Sequence, residues 1–204
     1  MKLLRTTFLV LLFLPVQLSA IGAEGAFDQV LTDLADFTRD VRFNKQDIGN
    51  FISYWAEVSA LDEDENWNDF GESMTDSMDF DELGNDPEYR AWASSRNLDP
   101  DDFLKKSMRI YAVQMRTSFP AQADEMRSEL TEERMMEGMP EGLSAEDRKK
   151  MQDLVQAGLQ SLEAMEESML RLPEPTASER ALLEAHQDQL IILLEEGDEE
   201  DSDW

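Results

Sequence analysis

A chain of 204 residues with no cysteine, one histidine and a formal charge of −28 rules out several chemistries before any motif is read. Thiol nucleophiles and disulfide scaffolds need Cys, structural zinc needs several nitrogen or sulfur ligands, and a nucleic-acid face needs concentrated Lys and Arg. Here 46 acidic side chains oppose 18 basic ones, so nucleic acid is not an expected partner.

Residues 1–23 read as an export signal, with Lys2 and Arg5, an apolar run from Phe8 to Val16, and small residues at Ser19, Ala20, Gly22 and Ala23. That run is too short to cross a bilayer, and past Ala23 the longest purely apolar run is Leu190 to Leu194. Cleavage is expected between Ala20 and Glu24, with no stable membrane insertion afterwards. Loss of Lys2 and Arg5 takes the formal charge from −28 to −30. An exported chain without Cys that is long enough to bury a core predicts a bacterial periplasmic or secreted protein.

Apolar residues then recur by three and four, the period of a helix with one buried stripe. Phe27, Val30, Leu31, Leu34, Phe37 and Val41 predict a helix over 26–41. Asn44 with Asp47 predicts a cap for a second helix, striped by Ile48, Phe51, Ile52, Trp55 and Val58, in which Gly49 is a weak point. From Asp62 to Glu88 twelve carboxylates meet no basic side chain, which fits a poor helix or an acidic loop. Asp86-Pro87 and Asp99-Pro100 each predict a helix start, because proline is preset for the first turn and the aspartate accepts from orphan amides. The first of these helices should stop near Asn97. The second should carry the stripe Phe103, Leu104, Ser107, Met108, Tyr111 and Met115 and end at Pro120, with a separate polar helix following to about Glu137.

Gly138 to Gly142 reads as a linker. Ser144 with Asp147 predicts the start of the longest helix, running through Met151, Val155, Leu162 and Met169 to Leu172, where Pro173 and Pro175 stop it. A last helix is expected from about Ala177 to Glu196. No stretch alternates with period two, so the predicted class is all-α: seven or eight antiparallel amphipathic helices in an irregular bundle. The expected organisation is a helical domain over 24–137 containing an acidic segment at 61–88, a C-terminal helical hairpin over 138–196, and a disordered acidic tail over 197–204.

Candidate sites are few. Asp62, Asp64, Asn66 and Asn68 alternate oxygen ligands as the first half of a calcium loop does, but Trp67 stands where the sharp bend wants glycine and Ser73 where a bidentate glutamate belongs. Calcium held by the segment 62–88 is therefore an alternative reading, with those four residues as its ligands. Paired carboxylates can hydrolyse glycosides without histidine, and a catalytic acid wants a greasy neighbour. Glu57 beside Trp55 and Glu72 near Phe70 offer one each, so a cell-wall or polysaccharide hydrolase is a second alternative. Met135, Met136 and Met139 are soft donors that could hold Cu(I), though methionine is also an adaptable core filler. His186 lacks a Glu three residues before it, so the helix-bundle di-iron motif is missing. The leading expectation is an exported, non-enzymatic binding, chaperone-like or scaffold module of the bacterial envelope, whose partner is another envelope protein.

Overall fold

The computed structural model describes residues 23–59, 80–131 and 144–195, which form helices and no strand. In chain order these are α1 (Ala23–Thr38), α2 (Lys45–Ser59), α3 (Phe80–Asn85), α4 (Pro87–Ser95), α5 (Pro100–Glu129), α6 (Ala145–Met169), α7 (Ala177–Ala185) and α8 (Gln187–Glu195). The all-α bundle is the class that the helical periodicity predicts.

Local chemistry sets most of the ends. Asn44 Oδ1 accepts from the amides of Gln46 and Asp47, while Asp47 Oδ2 accepts in return from the Asn44 amide at 2.8 Å. Asp86 and Asp99 each accept an amide three residues on and are each followed by proline. Ser144 caps α6 by accepting from the Asp147 amide at 3.1 Å. At the far end of α4, Asn97 sits in the left-handed region with φ of 56°. Its N–H bonds to Ser94 O and that of Leu98 to Ala93 O, the paired closure of a Schellman motif.

α5 organises the rest. At 30 residues it is about 45 Å long, and four consecutive side chains, Ser107 to Ile110, are buried. One side carries Phe103, Leu104, Met108, Ala112, Phe119 and Ala123 into a core shared with Leu34 of α1, Trp92 of α4 and Leu162 of α6. Ile110 and Val113 on another side enter a second core with Ile48 and Phe51 of α2, Leu183 of α7 and Leu190 of α8. Trp55 touches both cores, tilted against Phe51 and stacked with Tyr111 at ring-centroid distances of 4.8 and 6.5 Å. A helix that buries material on two sides must be central. Both C-terminal stretches therefore build on N-terminal ones: α6 lies against α5 and α1, and α8 against α2 and α7. Arg171 and Ser168 both bind Asp28, fastening the end of α6 to α1.

Two predicted boundaries are corrected. Pro120 does not end a helix, because α5 runs through it to Glu129. Proline there removes the amide that would bond to the Arg116 carbonyl, a loss of about 3 kcal/mol. Burial of Phe119 and Ala123 on the core side holds the helical path on either side of it. The last helix, expected unbroken over 177–196, is interrupted at His186, whose backbone leaves helical geometry at φ −121° and ψ 13°. Its amide bonds to Leu183 O, and Leu190 N–H returns to His186 O to start the next segment.

Gly49, the weak point of α2, has open surroundings. A Cβ there would meet nothing within 4 Å. Gly49→Ala is expected to raise stability by about 0.5–1 kcal/mol, read as a shift of the urea midpoint without a change in slope.

Candidate functional site

The one fully buried ion pair among the described residues joins α5 to α7. Arg109, flanked by the buried Met108 and Ile110, is 0% exposed, and Glu179 is 1% exposed. The pair is bidentate: Arg109 Nε donates to Glu179 Oε1 at 3.1 Å and Nη2 to Oε2 at 3.0 Å. Nη2 also donates to the Glu174 carbonyl at 3.0 Å, while buried Nη1 has no protein partner among the described residues.

Glu179 is held from its own helix as well. It stands three residues past the cap Thr176, and its carboxylate accepts from the Thr176 amide at 2.8 Å while its own amide donates to Thr176 Oγ1 at 3.2 Å. This reciprocal capping box also places the negative charge at the positive end of α7. Burial alone would push the carboxyl up. The hydrogen bonds from Arg109 and Thr176, with the guanidinium charge, outweigh burial and hold it below the ordinary glutamate value.

Beside this pair, α5 and α7 part to leave an open groove of about 450 Å³ that reaches Gln187 at the start of α8. Leu183, Pro175 and Pro120 give it apolar wall. Arg116 and Arg180 bring positive charge, Glu174 and Glu184 negative, and Gln114, Thr117, Ser118 and Gln187 bring amides and hydroxyls. Arg116 is partly committed, since its Nη1 donates to the carbonyls of Leu170 (2.8 Å) and Leu172 where α6 leaves them unpaired. Thr117 and Ser118 hydroxyls donate back to Val113 O and Gln114 O within α5. Both glutamates are exposed, whereas a carboxylic acid that must stay protonated for catalysis needs apolar surroundings. The groove thus combines apolar wall with both signs of charge.

Two other polar clusters each contain ion pairs. Asp47, Asn50, Asp99 and Asp102 border a hollow of about 40 Å³ that Lys106 also lines. Its Nζ lies 2.7 Å from Asp102 and 3.0 Å from Asp47. The hydrogen bond to Asp102 is the main influence that lifts this lysine above its ordinary value, against a smaller downward push from burial. Glu57 accepts from the Trp92 indole Nε1 at 3.1 Å and pairs with Arg96. The Arg96 guanidinium in turn lies over Trp92 and Tyr54, 5.3 and 5.9 Å from their ring centres. Glu57 thus ties α2 to the end of α4.

Asp62, Asp64, Asn66 and Asn68, proposed as calcium ligands, lie outside the described residues, as do Glu72 and the methionines at 135, 136 and 139. Among the described residues no group of three or more His, Asp or Glu could hold a metal. His186 is half-buried with Nδ1 2.8 Å from the Leu182 carbonyl. Sequence reasoning missed Arg109 and Glu179. Two signals were present: Thr176-x-x-Glu179 spells a capping box, and Ile110 with Val113 lies off the main stripe of α5, which implies a second buried side around Arg109. Comparison with protein-family models, with curated proteins and with solved structures gives no match.

Proposed function

We propose that the chain is an exported, non-enzymatic binding module of the bacterial envelope, and that the groove between α5 and α7 receives a polypeptide segment of another envelope protein. The groove carries this reading: it combines apolar wall at Leu183 and Pro175 with both signs of charge and with hydrogen-bonding amides, the mixture that extended peptide needs. The rigid pair Arg109–Glu179 fixes α7 against α5, so the walls are set before a partner arrives and less ordering opposes binding. Export rests on the signal pattern of residues 1–23. No helix among the described residues is long and apolar enough to cross a membrane.

Photo-cross-linking in cells tests it. A cross-linking residue in place of Ser118 or Gln187 is expected to give a discrete adduct that weakens when Arg180→Glu reverses the groove charge. The same residue at Lys149, on the exposed side of α6, should not give that adduct. Equal adducts from both faces, or none from the groove, would remove the reading.

A further inference from the structure

We infer that the outward face of α8 is a docking surface for a cationic amphipathic helix of a partner protein. Leu190 points inward and is fully buried, and Leu193 is half-buried against the second core. Ile191 and Ile192, by contrast, remain 36% and 53% exposed. The other large exposed apolar side chains among the described residues, Leu154 and Leu170, stand singly on or beside α6, whereas these two are adjacent. Ile191 lies one turn beyond Gln187, the last residue of the groove, so apolar surface continues from its mouth along α8.

Charge then selects the occupant. Exposed Asp188 is three residues before Ile191 and four before Ile192, which makes it their neighbour on the helix surface, and exposed Glu184, on α7 across the break at His186, lines the adjoining groove with Gln187. After Arg180 the sequence contains no Lys or Arg, and from Glu195 to Asp203 it carries seven carboxylates. A helix that covers Ile191 and Ile192 with leucine-like side chains and sets lysine or arginine against Glu184 and Asp188 complements both features. A second copy of the chain would bring another 28 net negative charges to the contact, and an anionic lipid surface would repel it in the same way.

This inference shares the binding reading above and one groove residue, Glu184, but its apolar contact lies on α8 outside the groove, so the two fail separately. Fluorescence anisotropy of a labelled Leu/Lys amphipathic peptide, about five turns long, tests it on the full chain. The expected result is saturable binding that weakens as salt rises from about 0.05 to 0.3 M and falls at least about tenfold in the Ile191→Asp/Ile192→Asp variant. Both isoleucines are exposed, so that variant should keep its helical circular dichroism, and Leu154→Asp should leave binding unchanged. No binding, equal loss from Leu154→Asp, or equal affinity for a Lys/Ser peptide of the same charge would overturn it, as would tighter binding to anionic vesicles. Groove cross-links that persist while the peptide fails would leave the groove reading standing alone.

Discussion

Glu179→Ala is expected to lower the unfolding free energy by about 3–5 kcal/mol, measured by urea denaturation followed through Trp fluorescence. Most of that loss comes from what stays behind: the guanidinium of Arg109, 0% exposed, keeps only the Glu174 carbonyl as partner. The capping box of α7 is lost in the same step. Removing both charges, as in Arg109→Met/Glu179→Leu, should recover most of the stability or exceed it by about 1–4 kcal/mol, since an apolar pair needs no desolvation of ions. A single variant no worse than the double one would show that the pair is not buried as described.

Acid should reveal the same pair. A carboxyl held below its ordinary value of 4.5 binds its proton more weakly when folded than when unfolded. Its contribution is therefore complete above that value and is lost as pH falls from there through the depressed one. The stability difference between Glu179→Ala and the parent should shrink over that acid range. Carboxylates common to both proteins cancel in the comparison.

Phe51→Ala is expected to destabilise by about 3–5 kcal/mol, the cost of lost transfer energy plus an unfilled cavity. Phe51 is 0% exposed, shares its core with Ile48, Ile110 and Leu190, and packs at a tilt against Trp55, which also touches the first core. Helices on three sides fix the walls, so little collapse can fill the gap. Thermal unfolding by circular dichroism checks it. A loss below about 1 kcal/mol would mean that the second core is loose.

Local signals were legible where the chemistry is local. Asp86-Pro87, Asp99-Pro100, Asn44 with Asp47 and Ser144 with Asp147 each start a helix where the sequence puts it, because a cap involves amides only two or three residues away. Asn97 stops α4 for a similarly local reason. Pro120 misled because its penalty is a property of an isolated helix, whereas Phe119 and Ala123 are held by side chains from elsewhere. His186 gave no warning of a break for the complementary reason: nothing in its neighbours disfavours a helix. Arg109 was the largest omission. A charged residue beside a stripe reads as solvent-facing, and the partner that lets it be buried lies 70 residues away. The groove could not be read at all, since its walls meet only when α7 is drawn onto α5.

Amide hydrogen exchange of the full chain, with and without the Leu/Lys peptide, addresses binding by the α5–α7–α8 face most directly. Slower exchange concentrated in Leu183 to Leu193, with α1 and the exposed side of α6 unchanged, is the expected result. Slowing confined to α1 or α6, or peptide binding with no change near Gln187 to Ile192, would contradict it.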